Sequence, residues 1–265
     1  MTTPTARLIA TSACAIVCLA VLNGARARAQ QPGPRVTSAR EGALIDITGQ
    51  WVSVIDEDWR WRMVTPPKGD TSSVPLTPAG KKAAENWDLA GDRARGALCK
   101  AFGPPGLIRQ PGRIRVSWKD DSTLRLEFDA GTQVRDFHFG SSTPVGARSL
   151  QGYSAARWYR QAQERGVFLR VTPTSGGSLV VTTTNLRAGY LRPNGVPYSD
   201  RAVVKEFFDT FTLPDAGSWL IVTTVVNDPE YLTDEFVISS QFKKEADLST
   251  WSPRPCDIPP PALAQ

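Results

Sequence analysis

The sequence predicts a mainly β protein, an antiparallel up-and-down barrel of about eight to ten strands with one short helix. Short segments that alternate apolar and polar residues recur along the chain, and turn residues separate them. Apolar residues are 41% of the 265 residues, enough for a core, and the 21 Gly and 21 Pro are too few for a low-complexity chain. Two sandwich-like domains are the alternative, although no linker divides residues 43–244.

Residues 1–29 have the composition of a Sec signal peptide. Arg7 precedes an apolar run over residues 8–22, and small residues lead to a cleavage site near Ala29. We therefore predict a periplasmic or secreted protein without integral membrane insertion; a membrane anchor is the alternative for the apolar run. The segment holds three arginines and no acidic residue, so its removal leaves 28 basic and 26 acidic residues, a formal charge of +2.

Three segments follow the signal peptide. Residues 30–42 are predicted to be a flexible lead, residues 43–244 a single β-barrel domain, and residues 245–265 an extended, Pro-rich C-terminal tail. This division follows from the polar, Pro-containing sequences that flank the regular strand pattern.

The first elements of the barrel domain are two strands and the helix. The strands are predicted over residues 45–55 and 59–64, on either side of an acidic turn. The helix is predicted at Thr77, because Thr is a common N-cap and Pro78 suits the first helical position. Further strands are predicted over residues 178–185, 202–212, 219–226 and 235–243.

Residues 113–139 carry the clearest strand pattern. If Trp118 pairs with Leu124 across the first turn, charged residues of opposite sign also pair on the other face. A second tight turn then places Arg125 opposite Asp136. Apolar and charged faces separate cleanly in the first two of these strands, and the charge pairing across both turns predicts a three-stranded antiparallel meander.

The cysteines predict one disulfide. After removal of the signal peptide only Cys99 and Cys256 remain, and two cysteines in an oxidising compartment usually pair. Two buried thiols are the alternative.

Two resemblances concern the fold. Gly49-Gln50-Trp51 resembles the Gly-x-Trp first strand of lipocalins, whose Trp closes one end of the barrel. The Arg that usually stacks on this Trp is absent from the last strand, where only Lys243 or Lys244 could take its place. More of the chain, from about Gly103 to Lys244, resembles an uncharacterised family of secreted bacterial proteins with a lipocalin-like, calycin-type barrel. The matching segments are residues 112–139, 179–185, 194–200 and 227–231. This family implies a fold and no activity, and many relatives carry His in place of Tyr198.

Four residues are candidates for acid–base catalysis: Asp136, His138, Tyr198 and Glu206. Asp136 and His138 are two residues apart, hence on one strand face, where a carboxylate orients an imidazole as a general base. The alternative is a solvated outer face, since the same face carries cancelling charges. Glu206 would be a plausible acid or base if it faced inward, but the two faces of its strand are equally apolar, so the sequence does not orient it.

Five residues are candidates for ligand binding: Trp51, Trp61, Tyr190, Arg192 and Tyr198. Three of them lie in residues 187–200, a polar and aromatic segment between strands. Arg with Tyr at a barrel mouth suits an anionic or carbonyl-bearing ligand, and an ordinary surface turn is the alternative. Trp61 belongs to a run in which Trp and Arg alternate. This pattern favours a strand with Trp in the core and Arg pointing outward. Nucleic-acid binding is the less favoured interpretation, because the predicted mature chain has a low net charge.

Motifs exclude several classes of enzyme. The chain has one His, no mature Cys-x-x-Cys, no Gly-x-Ser-x-Gly and no nucleotide-binding glycine pattern, so no metal or cofactor is predicted. The first hypothesis is a secreted or periplasmic lipocalin-like barrel that binds an apolar or amphipathic small molecule. A cofactor-free lyase, isomerase or hydrolase using carboxylate, His and Tyr groups is the alternative. An envelope protein with a filled barrel and partner-binding loops is a third.

Overall fold

A closed β-barrel dominates the computed structural model, which describes residues 37–160 and 177–261. Residues 1–29, assigned to the signal peptide, and residues 30–36 of the lead lie outside the described residues. Eleven strands are present in the described ranges, and nine of them close in the order β1-β11-β10-β9-β6-β5-β4-β3-β2. Their bounds are β1 Gly49–Val54, β2 Arg113–Asp120, β3 Thr123–Phe128, β4 Gln133–Phe139, β5 Tyr153–Tyr159, β6 Ser178–Thr184, β7 Gly189–Tyr190, β8 Pro197–Tyr198, β9 Val203–Leu213, β10 Gly217–Asn227 and β11 Phe236–Glu245. Strands β7 and β8 pair only with each other.

The barrel is mixed and not purely antiparallel. Strands β4 and β5 run parallel, with Phe137, His138 and Phe139 opposite residues 154–156. Residues 140–152 lead the chain back along the barrel, so β5 runs in the same direction as β4 and its second residue, Ser154, lies opposite Phe137. The predicted barrel is confirmed, but this crossover interrupts the predicted up-and-down order, because a Gly-, Ser- and Pro-rich segment shows a loop without showing its direction.

Short helices are more numerous than the single one predicted. The described residues contain α1 Trp59–Arg62, α2 Pro78–Glu85, α3 Leu89–Ala94 and α4 Pro104–Leu107, with 3₁₀ turns at Leu98–Phe102 and Leu248–Thr250. Helix α2 begins as predicted, with the Thr77 hydroxyl accepting a hydrogen bond from the Gly80 amide at 3.1 Å. The strand predicted over residues 59–64 is wrong: Asp58, at φ 54°, turns the chain into α1.

The meander over residues 113–139 has the predicted register. Trp118 lies opposite Leu124, and Arg125 lies opposite Asp136. Arg125 also makes the expected ion pair, with its Nε 2.8 Å from Asp136 Oδ1. Arg115 lies opposite Glu127, so residues of opposite charge pair across these strands as predicted. The Arg115 guanidinium, however, contacts Gln50 and the tail, which covers that part of the outer surface.

The inward faces of the nine strands form the main core. Trp51, Phe137, Phe208 and Phe242 are at most 1% exposed and fill the middle of the barrel. The charged face of the meander therefore points outward, while Val204, Glu206 and Phe208 of β9 point inward.

The two ends of the barrel differ. At one end, here called the cap end, residues 55–112, 185–202 and 228–235 connect strand ends and pack into a cap. At the other, the hairpin end, β2 meets β3, β9 meets β10, and residues 37–48 approach the barrel. The tail runs along the outside of β1 and β2 back to the cap, where Cys256 is bonded to Cys99 as predicted. In the described part of the chain, no helix has the length and apolar character needed to cross a membrane.

Candidate functional site

Asp136 and His138 lie on the outer face of β4. Asp136 accepts hydrogen bonds from Arg125 at 2.8 and 2.9 Å and from Lys119 at 3.1 Å, and the Arg125 hydrogen bonds hold the pKa of this carboxyl below its usual range. The His138 ring stacks on Tyr153 with centroids 4.9 Å apart. Both residues line an outer cavity of about 400 Å³ beside the β4–β5 junction. Asp136 is engaged by cations and makes no contact with the imidazole that would orient it as a base.

Glu206 lies inside the barrel and is fully buried. Its carboxylate accepts two hydrogen bonds from Arg135, at 2.9 and 2.5 Å, and both side chains are 0% exposed. Arg135 also donates to Thr183, whose hydroxyl is 2.8 Å from that of Ser154. Glu206 is thus the partner of a buried cation, with no exposed carboxylate surface available to a substrate.

Tyr198 lies in the cap, at 0% exposure. A methyl group added at Gly103 or Gly189 would collide with its hydroxyl, so the ring is packed tightly between these two glycines. Burial raises the pKa of Tyr198, which keeps the phenol neutral. The four candidate catalytic residues therefore occupy three places, and only the pair on β4 shares a cavity.

Trp51 and Tyr190, two of the predicted ligand-binding residues, have protein partners. The Trp51 indole donates to the Ile47 carbonyl at 2.8 Å, and Lys244 Nζ lies 5.3 Å from the ring centroid. The Tyr190 hydroxyl donates to Asp92 at 2.6 Å, and burial followed by this hydrogen bond raises the pKa of Tyr190. Both aromatic rings therefore serve the packing of the protein.

Trp61 and Arg192 come together in the cap. The guanidinium carbon of Arg192 lies 4.4 Å from the centroid of the Trp61 ring, and that of Arg60 lies 4.6 Å from it. The Trp61 indole donates to Asp70 at 3.2 Å, and Asp70 also pairs with Arg60 at 3.4 Å. Arg192 itself is only 2% exposed and forms no ion pair with a described residue.

Arg62 and Arg109 complete a cluster that sequence reasoning missed. Arg62 Nε donates to the Arg109 carbonyl at 3.0 Å, and Arg109 donates twice to Asp58, at 3.2 Å each. We call Arg62, Arg109 and Arg192 the cap arginines. The alternating Trp-Arg run predicts a strand with Arg62 pointing outward, whereas Arg62 is buried in α1, and no motif surrounds Arg109.

The cap arginines carry more positive charge than their contacts neutralise. Both terminal nitrogens of Arg62, and Nε and Nη1 of Arg192, are buried without a hydrogen-bond acceptor among residues 37–160 and 177–261. Burial, followed by the like charge of Arg109, lowers the pKa of Arg62 and of Arg192 to about 10, while acidic neighbours such as Asp58 partly offset this. At neutral pH both remain cations, and buried unpaired cations are costly.

A cavity of about 370 Å³ adjoins the cap arginines. Arg62 forms part of its wall, and Gln110 and Pro193, the residues that follow Arg109 and Arg192, form other parts. Thr65, whose buried hydroxyl also lacks a partner in the described chain, lines it as well. The remaining walls are mostly apolar or belong to the tail: Met63, Val64, Phe102, Pro111, Ala130, Gly131, Arg254, Pro255, Asp257, Ile258 and Pro259. We call this space the cap cavity.

Comparison with known protein families, with characterised proteins and with solved structures yields no match. What defines the site is therefore its own geometry: a mixed, closed β-barrel with a cavity that is lined by Arg62 and Arg254 and lies under a disulfide-tethered tail. Within the described ranges, no group of three or more His, Cys, Asp or Glu side chains is arranged to hold a metal ion.

Proposed function

We propose that the protein is a secreted or periplasmic, lipocalin-like barrel that binds an amphipathic small molecule bearing an anionic group in the cap cavity. One observation carries this proposal: Arg62, which forms part of the wall of a cavity of ligand size, has two buried guanidinium nitrogens without acceptors among the described residues. An anion supplies the acceptors and the negative charge that the site lacks. Carboxylates and phosphates fit guanidinium groups in particular, because two parallel hydrogen bonds form.

The walls of the cap cavity favour an apolar remainder of the ligand. Phe102, Ile258 and neighbouring prolines offer apolar surface, while Arg62, Thr65 and Arg254 offer donors. A molecule with a charged head and a short apolar body would place each part against matching surface. This arrangement narrows the apolar or amphipathic ligand expected from the sequence to an amphipathic anion.

Export is part of the same proposal. The disulfide between Cys99 and Cys256 supports an oxidising compartment, where such bonds persist. N-terminal sequencing of the protein from the periplasmic and extracellular fractions of its host should give a chain that begins at Gln30. A chain that begins at Met1 in those fractions, or protein found only in the cytoplasm, would contradict export by a cleaved signal.

Titration calorimetry with four eight-carbon probes tests the ligand class. We expect octanoate and octyl phosphate to bind, and 1-octanol and octyltrimethylammonium to bind at least about tenfold more weakly, because hydrogen bonds to charged groups contribute about 1.5–3 kcal/mol. Comparable affinity for all four probes, or preference for the cation, would refute the anionic class.

Charge-removing variants test the site itself. Arg62→Met should weaken octanoate binding about ten- to hundredfold, because it deletes the only cap arginine in the cavity wall. Arg60→Met is the matched control: it removes the same charge from the same helix, at a side chain that is 59% exposed. It should change the affinity less than about threefold. Equal effects of the two variants, with both proteins folded by circular dichroism, would place the anion elsewhere.

A further inference from the structure

A second cavity lies at the hairpin end, at the other end of the barrel from the cap cavity. It has a volume of about 320 Å³ and is lined by Trp118, Leu124 and Trp158 from the strands. The segment before β1 lines the other side with Arg40, Ala43, Ile45, Asp46, Ile47 and Thr48. We call this space the hairpin-end pocket. It lies within the mouth of the barrel, so its shape suits a small molecule and not a protein surface.

Aromatic side chains give this pocket its character. The rings of Trp118, Phe139 and Trp158 form a cluster, with centroids 5.3 to 6.5 Å apart and mutual tilts of 32° to 51°. All three point into the barrel but are only partly buried, whereas Phe137 and Phe208, deeper inside, are 0% exposed. Large apolar surface left exposed in a concave site favours binding of an apolar molecule.

The polar groups of the pocket are already engaged or lie at its rim. The Trp158 indole donates to the Ala39 carbonyl at 2.7 Å, which ties the lead to the barrel. The Asp46 carboxylate accepts from the amide and the hydroxyl of Thr48, at 2.8 and 2.7 Å. A bound molecule would therefore contact mainly indole and aliphatic surface. Arg40 lines the edge of the pocket and is exposed to solvent.

We propose that the hairpin-end pocket is a second binding site, which takes an uncharged, flat aromatic molecule. Ring stacking on Trp118 and Trp158 supplies the affinity, since offset or tilted aromatic contacts add to simple burial. The ligand class is thus opposite to that of the cap cavity, where the unpaired groups are cations. Binding at the two sites is independent, because the fully buried aromatic residues in the middle of the barrel separate them.

Fluorescence titration with N-phenyl-1-naphthylamine, an uncharged aromatic probe, tests the proposal. We expect the full mature chain to bind the probe with enhanced emission, and octanoate at saturation to leave that binding unchanged. Trp118→Leu should weaken probe binding at least about tenfold through loss of ring contact. The matched control is Trp219→Phe, because Trp219 stacks on Phe211 on the outer surface near the same end. It should change the affinity less than about twofold.

A second variant keeps the test valid if Trp118→Leu does not fold. Ile45→Asp places a charge in the pocket from the segment before β1, without changing a barrel strand, and should also abolish probe binding. Arg62→Met should leave it unchanged. Displacement of the probe by octanoate, or equal probe affinity in Ile45→Asp and the native protein, would overturn the second site.

Discussion

The Arg135–Glu206 pair supports a quantitative prediction, because both side chains are fully buried and join β4 to β9 across the barrel interior. Glu206→Leu removes the carboxylate while keeping a similar volume. It leaves the Arg135 guanidinium with one remaining hydrogen bond, to Thr183 at 3.2 Å. Breaking a buried pair in this way costs about 3–5 kcal/mol, since an uncompensated charge stays in a medium of low dielectric constant.

The expected loss is large compared with total stability, which is about 5–15 kcal/mol for a domain. Thermal unfolding of the oxidised protein should show a midpoint lower by about 6–20 °C, from about 2–4 °C per kcal/mol at this chain length. Asp136→Asn is the control, because it removes a carboxylate from β4, the strand of Arg135, but from a partly exposed ion pair on the outer face, and should cost at most about 1 kcal/mol.

The double variant Arg135→Met/Glu206→Leu separates charge from packing. It removes both buried charges, so it should be at least as stable as Glu206→Leu and should recover most of the lost free energy of unfolding. Urea unfolding at neutral pH, followed by tryptophan fluorescence, measures all three variants. If Glu206→Leu costs no more than Asp136→Asn, or if the double variant is the least stable, the interpretation of this pair as a buried ionic link is wrong.

Three further predictions concern the disulfide, acid stability and a turn glycine. Reduction of Cys99–Cys256, which are 157 residues apart, should lower the free energy of unfolding by about 5 kcal/mol, as measured by urea titration with and without dithiothreitol; a loss below about 1 kcal/mol would contradict it. The pKa of Asp136 is lower in the folded protein than in the unfolded chain. Its contribution to the free energy of unfolding is therefore present above about pH 4 and is lost as the pH falls through the pKa in the folded state. The stability difference between native protein and Asp136→Asn should therefore shrink between pH 6 and pH 2, and a constant difference would disprove the role of this ion pair. Gly195→Ala should cost about 1–3 kcal/mol more than Gly217→Ala in thermal unfolding, because both glycines have positive φ but only at Gly195 would a methyl group collide with a tryptophan ring; equal costs would argue against that contact.

Local pattern was sufficient for much of the fold. The register of Trp118 with Leu124 and of Arg125 with Asp136 follows from alternation across a short turn, where apolar and charged pairing agree. The Cys99–Cys256 pairing follows from elimination once residues 1–29 are set aside as a predicted signal peptide, since the rest of the chain has no other cysteine. The strand prediction for residues 59–64 is wrong because the alternation of Trp and Arg covers too few residues. Over so short a stretch the same alternation occurs in a strand and in a single helical turn that packs into the cap.

The sequence by itself determined most strand positions and the register of the meander, because these depend on neighbours close in the chain. Which face of the meander points outward was decided by the tertiary structure. Only the tertiary structure decided the direction of β5, the inward orientation of Glu206 and its pairing with Arg135, 71 residues away. It also decided that Arg62, Arg109 and Arg192 meet under the cap. Contacts between residues so distant in the chain form when the barrel closes and the connections fold over its end, and no local periodicity encodes which side chains then face one another.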